Sequence, residues 1–292
     1  MVMYSPTVID VEFDRLLNML FSTIDSFRGQ SFANSEEWLL DAEVLGSKFF
    51  FHLCSAQYLF KGTKFALKNR QDRMFYDHAS ITVLIRASFE TYLTFFFIYR
   101  DSEAGFPEKY LRYLTWKLKG LLDRQNALVA TSEGLKKLKS EKTIIDKLFV
   151  EIEENPFYQK SYSKIQKAVK RGDWKVLKPW KDLAKIAGFN REVFIRIYSY
   201  LCSYAHSGNL SALQIGQTIN VSEQKSLSVF SMQCGMFLMS HFIKSYRDLF
   251  PKINELSEWN KEMEFLLNKW FITWNEPEFL NNFINKHELQ EK

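Results

Sequence analysis

Apolar residues recur every three to four positions along most of this chain, the period of a helix lying against a core. From about Asp10 to Phe27, Val11, Leu16, Leu17, Leu20 and Ile24 fall at core-facing spacing. "SFANSEEW" is a start signal, because Ser35 can cap and Glu36 and Glu37 suit the positive end of a helix. The next helix continues through "WLLDAEVLGSKFFFHLCSAQYLF" to about Phe65, and a third runs from near Asp77 until Gly105 and Pro107 break it.

The middle of the chain is more broken. Residues 108–129 read as an amphipathic helix and 132–155 as a leucine-spaced arm ended by Pro156. Short helices and loops follow over 157–189, punctuated by Gly172, Pro179 and Gly188. Asn190 is the expected N-cap of "NREVFIRIYSYLCSYAH", with Glu192 in its first turn and Gly208 as a left-handed cap after Ser207. A loop over 209–222 then leads to an apolar helix at about 223–249, ended by Pro251. The last amphipathic helix is "INELSEWNKEMEFLLNKWFITW".

The fold class expected is all-α: one helical bundle domain over 1–285, built of long antiparallel helices. Its core helices occupy about 10–105 and 190–275, around a helical insert at about 108–189, and 286–292 form a frayed tail. Only 11 Gly and 6 Pro in 292 residues argue against a turn-rich β architecture. Cys54, Cys202 and Cys234 are widely spaced, which fits a reducing compartment rather than a disulfide framework or zinc site. The N-terminal residues bear acids where a signal peptide needs bases. The most apolar run, 228–243, is shorter than the roughly 20 residues of a membrane span and contains Gln233 and His241. A soluble, cytoplasmic protein without a membrane partner is expected.

Charge changes the picture of the middle. Residues 109–191 hold 20 Lys+Arg against 9 Asp+Glu and the rest of the chain holds 19 against 25, so the net +5 divides into +11 and −6. Lysine-rich helices with solvated faces account for this, and so does an electrostatic footprint for RNA or another phosphate-bearing partner. "KAVKRGDWKVLKPWKDLAK" interleaves its bases with Trp174 and Trp180.

Several chemistries are excluded. The chain has no phosphate-binding G-x-x-x-x-G-K-[ST], no G-x-G-x-x-G, no H-E-x-x-H and no G-x-S-x-G. Its five histidines never fall at i,i+3 or i,i+4, so no helical metal pair exists, and neither a metal nor a cofactor is expected.

Two constellations remain. Arg86 and Glu90, at i,i+4, share one face of a very apolar helix. They form either an internal salt bridge or an anion site in which Glu90 orients the bound group or a histidine. Ser199, Ser203 and His206 form a polar strip at the end of another helix. There His206 acts as a general acid or base, or simply hydrogen-bonds a carbonyl.

The segments at 41–63, 80–101 and 193–214 resemble three signature helices of a bacterial domain-of-unknown-function family similar to the HEPN superfamily of four- and five-helix bundles. Its pattern has Arg-x-x-x-Glu in one helix and Tyr-x-x-Leu-Ser-x-x-x-His in another. The resemblance implies an all-α, often dimeric protein of defence and toxin systems, some members being metal-independent ribonucleases. Those ribonucleases leave four to six residues between Arg and the histidine, but Ser199, Tyr200 and Leu201 stand at those positions in this chain. Arg196 is about 15 Å away along the axis, which leaves Arg86 as the only substitute.

Two functions follow as expectations. One is a non-catalytic binding module in which Arg86, Glu90 and His206 form an internal polar network, with a homodimer or protein partner on its apolar faces. The alternative is RNA cleavage, with His206 as base or acid and Arg86 stabilising the phosphorane-like transition state. Ser203 and Ser199 would position the phosphate, and Tyr200 or Tyr204 would stack a base.

Overall fold

Ser5 accepts a hydrogen bond from the Val8 N–H and Pro6 occupies the first helical position, so α1 (Pro6–Asp25) starts at a capped end. The computed structural model describes residues 5–30, 32–66, 73–206, 208–218, 220–252 and 259–272. The buried face of α1 is Ile9, Phe13, Leu16, Leu20 and Ile24. Val11, expected in the core, is half exposed, because its position lies on the far side of a helix whose inner face is set by Ile9 and Phe13.

The chain divides into two compact units, residues 1–95 with 188–292 and residues 96–187. Helices dominate both, so the fold is all-α.

In the first unit, Asn34–Leu39 form a 3-10 turn that leads into α2 (Leu40–Phe60). The expected cap by Ser35 lies outside the described side chains. The chain leaves α2 at Phe60, short of the expected Phe65. A small antiparallel hairpin follows, β1 (Thr63–Phe65) and β2 (Arg73–Phe75), with Lys64 opposite Met74. Strands of three residues are too short for a period-2 pattern to show in the sequence.

Then comes α3 (His78–Phe95), which packs against α2, α9 (Arg191–Ala205) and α11 (Val221–Leu249). Its buried Ser and Thr hydroxyls donate along the helix itself. Thr82, Ser88, Thr91 and Thr94 each donate to the carbonyl four residues back. A side chain at Gly235 of α11 would meet Phe13 at 2.9 Å and Ile85 at 3.0 Å, so this glycine lets α11 approach α1 and α3 closely. α12 (Lys261–Trp270) is tied to α1 by the Trp270 indole and Lys269, both donating to Glu12. The flanks of the expected last helix, 253–258 and 273–274, and the tail 286–292 lie outside the described residues.

Two departures occur after α9. Gly208 has φ −61° and caps α10 (Asn209–Gln217) instead of supplying a left-handed turn. What it provides is close approach. Its N–H donates to the Ser203 carbonyl at 2.7 Å, and a Cβ would sit 3.1 Å from that oxygen. The segment expected as a loop is thus a helix over 209–217; it exposes Leu210, Leu213 and Ile215 and has no clean apolar face for periodicity to detect.

In the second unit, a π-helical turn (Phe96–Arg100) precedes α4 (Phe106–Gln125), which packs on α5 (Ser132–Glu154). Short helices α6 (Pro156–Lys160), α7 (Ser163–Lys170) and α8 (Trp180–Ile186) complete it. Arg112, fully buried, organises its interior. It donates to Asp101 at 2.7 Å, Glu108 at 2.5 Å and the Phe97 carbonyl at 2.8 Å, with its Cζ 4.2 Å from the Phe97 ring centroid. Most of the basic middle of the chain, expected as an insert at about 108–189, falls within this unit.

The helices His78–Arg100 and Val221–Leu249 are long and apolar enough to cross a membrane. Their most apolar stretches are 72% and 83% buried within the protein.

Candidate functional site

α3 and α9 lie side by side in the first unit, and of the polar residues singled out in the sequence their shared seam contains Arg86 and Glu90. Arg86 reaches from α3 toward α9. Its Nη2 donates to Glu90 Oε1 at 3.0 Å, one turn along the same helix, and its Nε donates to Cys202 Sγ at 3.2 Å. From α9, the Tyr198 hydroxyl donates to the same Glu90 oxygen, and the Arg86 Cζ lies 5.8 Å from the Tyr198 ring centroid. One carboxylate thus accepts from both helices.

The seam is partly open: the side chains of Arg86 and Glu90 are 20% and 31% exposed. Burial works against the guanidinium charge, but the bond to Cys202 and the charge of Glu90 outweigh it and hold Arg86 above the usual arginine value. Burial first, and the Glu90 carboxylate second, raise the Tyr198 phenol well beyond its ordinary range. Both shifts favour a protonated donor on each side of Glu90.

The remaining candidates are differently placed. His206 is the exposed C-cap of α9, one turn beyond Cys202, or about 6 Å along the axis. Among the described residues no hydrogen bond joins its ring to Arg86 or Glu90. Ser199 is exposed, while Ser203 Oγ donates to the Tyr200 carbonyl of its own helix. Tyr204 is buried and its hydroxyl donates to Gln214 of α10. Tyr200 packs edge-on against Tyr204 at 5.5 Å and Phe230 at 5.4 Å. Both rings are therefore engaged inside the unit, and burial raises both phenols.

A family model for a family of unknown function (DUF5677) matches residues 59–220. The chain belongs to this family. No curated protein and no solved structure matches the chain. The matched segment contains α3, the whole second unit, α9 and α10, and so includes every residue of the Arg86–Glu90–Tyr198–Cys202 cluster.

Sequence reasoning missed Tyr198 and Cys202 as members of the site. The signal lay in their spacing: Tyr198 and Cys202 are at i,i+4, on an edge of α9 that His206 extends by another four residues. On the Tyr-x-x-Leu-Ser-x-x-x-His pattern, Tyr198, Leu201 and His206 match and Cys202 replaces the serine.

Among the described residues no group of three or more His, Cys, Asp or Glu side chains is arranged to hold a metal ion. The second unit has its own charge distribution. Arg112, Lys119, Arg124, Lys170 and Lys178 are in ion pairs. Lys136, Lys137, Lys139, Lys142 and Lys147 of α5 are exposed, with no ion pair among the described residues. Lys175 lies 5.3 Å and 5.0 Å from the Trp174 and Trp180 ring centroids, which themselves meet at 5.6 Å.

Proposed function

We propose that this chain is a non-catalytic helical binding module, in which the Arg86–Glu90–Tyr198–Cys202 cluster pins α3 to α9 and the basic second unit engages a phosphate-bearing partner, RNA in particular. The observation that carries the first half is the state of Arg86. Its charge is met by Glu90 at 3.0 Å and its Nε is directed to Cys202, so the guanidinium is held by protein groups rather than presented to a phosphate. The unpaired lysines of α5 support the second half, since surplus surface cations attract polyanions. The HEPN resemblance extends the reading to a cytoplasmic role in bacterial defence or toxin systems, and to assembly with itself or another protein.

The second reading is metal-independent RNA cleavage by His206. It is favoured by one observation: His206 is exposed one turn beyond the cysteine that Arg86 holds. The chain's own residues would then divide the work. His206 would take the 2′-hydroxyl proton or give one to the leaving oxygen, and Arg86 would have to exchange Glu90 for the phosphate.

Labelled RNA incubated with the pure protein in EDTA separates the two. The binding module retains RNA and leaves it intact. Cleavage that disappears in His206→Ala would replace it with the ribonuclease reading, and RNA that neither binds nor is cut would remove both.

A further inference from the structure

α4 and α5 pack together as a hairpin, and the turn between them, residues 126–131, has apolar residues at its apex. The turn is fixed on both sides. The Asn126 and Ala127 N–H groups donate to the Asp123 and Arg124 carbonyls, and Thr131 Oγ1 accepts from the Gly134 N–H. Val129 folds back onto Gly134, where a Cβ would lie 2.2 Å from its Cγ1, so this glycine makes room for it. Leu128 is left fully exposed beside that contact, and Leu135, on its other side in the first turn of α5, is more than half exposed. The fixed turn thus holds both leucines in water, without the burial such side chains normally gain. Exposed apolar groups gathered at one tip mark an interaction site.

Charge behind the apex identifies the partner. Lys136, Lys137, Lys139 and Lys142 are exposed and have no ion pair among the described residues. Lys139 and Lys142 follow Leu135 at i+4 and i+7, on one flank of α5. Between residues 123 and 142 most acids are already engaged. Asp123 pairs with Lys119 and the buried Glu141 with Arg124, which leaves Glu133 against the four lysines. At 1.5 Å per residue, the lysines stand about 6 to 15 Å from the N-terminal end of α5. An apolar point with a basic collar matches the layers of an anionic membrane surface. Leucine enters the boundary of headgroups and acyl chains, about 5–10 Å deep, while lysines lie at the lipid phosphates. A nucleic acid matches only the collar, since its phosphates and sugars give Leu128 nothing apolar to enter.

We infer that the α4–α5 tip docks on an anionic phospholipid surface, inserting Leu128 and Leu135 while the four lysines behind them hold lipid phosphates. This contact lies outside the proposed function and needs no RNA. The lysines are among those that support RNA binding, so the leucines decide between the two partners. The expectation of no membrane partner rested on the lack of a spanning run, which a surface contact does not need.

Co-sedimentation of the full chain with phospholipid vesicles tests it. The protein should pellet with vesicles of phosphatidylcholine mixed with phosphatidylserine and stay in solution with phosphatidylcholine alone. Leu128→Glu changes a fully exposed side chain and removes no packing. It should weaken binding at least about tenfold, the lower bound for a leucine kept out of an apolar phase, and Leu128→Phe should retain binding. Lys139→Ala/Lys142→Ala should weaken it by roughly fivefold for each lysine lost. Failure to pellet with the mixed vesicles, equal binding to both vesicle types, or binding indifferent to Leu128→Glu overturns the inference. If vesicles are not bound while labelled RNA is retained, and is lost in Lys139→Ala/Lys142→Ala, the collar serves RNA. The lipid surface then falls and the binding module stands.

Discussion

Arg86 and Tyr198, from different helices, converge on one oxygen of Glu90, and the guanidinium carbon lies 5.8 Å from the phenol ring centroid. Because Glu90 accepts from both, α3 and α9 are fixed in register as well as in contact. Removing the shared acceptor should therefore cost more than removing either donor.

Tyr198→Phe deletes one hydrogen bond to a half-exposed carboxylate and should destabilise the protein by about 1 kcal/mol. Glu90→Ala strands both Arg86 and the phenol and should cost about 2 kcal/mol. Urea melts of the two variants measure the order. Equal losses, or a larger loss in Tyr198→Phe, would mean that Glu90 is not the pin.

In the second unit Arg112 has the same role with far less solvent. Its side chain and that of Asp101 are fully buried, and Lys178 also donates to Asp101 at 2.7 Å. Arg112→Met leaves Glu108 and the Phe97 carbonyl without their donor, while Asp101 keeps Lys178. The expected loss is about 3 kcal/mol, at the low end for breaking a buried pair. Hydrogen exchange should quicken across α4 and α5 while the α3 and α11 amides keep their protection.

How much of this was readable beforehand depended on the range of each interaction. The Arg86–Glu90 pair is an i,i+4 contact, and periodicity alone places it on one face. The partners from α9 follow only once α3 and α9 pack, and no local pattern encodes which α9 residue meets Arg86. The strip at Ser199, Ser203 and His206 was a sound local observation, but Ser203 bonds backward to its own helix and Ser199 faces water. Long amphipathic helices such as α1, α4 and α5 were legible because their faces repeat over many turns. The hairpin at 63–65 and 73–75 and the nine-residue α10 were not, being too short or too evenly apolar to show a period.

Along α5, Lys136, Lys139 and Lys147 recur at i, i+3 and i+11, opposite the buried Glu141, Ile145, Leu148 and Ile152. They form one solvated basic row. If RNA lies along it, replacing all three by alanine should lower the slope of log affinity against log salt by about 2, at roughly 0.7 per phosphate of a single strand. Filter binding at several salt concentrations reads this directly. Binding that ignores salt, or a slope unchanged in the triple variant, would remove α5 from the interface.

His241 predicts how the first unit responds to acid. Its ring lies 4.5 Å from Phe237, 4.9 Å from Phe189 and 4.3 Å from Phe271, and its Nε2 is 3.1 Å from the Ile272 carbonyl. Burial pushes its pKa down to about 3, the Ile272 bond opposing and Lys244 assisting. Folded His241 is thus neutral where unfolded His241, with an ordinary pKa of about 6.5, already binds a proton. Its stabilising contribution is complete above that value and falls as pH drops from about 6.5 toward 3, at up to about 1.4 kcal/mol per pH unit. His52 and His78 are also lowered, chiefly by burial, and titrate in the same sense. His241→Phe should therefore flatten the decline between pH 6 and pH 4.5 without abolishing it, by about 2 kcal/mol across that interval. Urea midpoints measured at both pH values for the two proteins give the difference, and parallel pH profiles would show that His241 is protonated in the folded state.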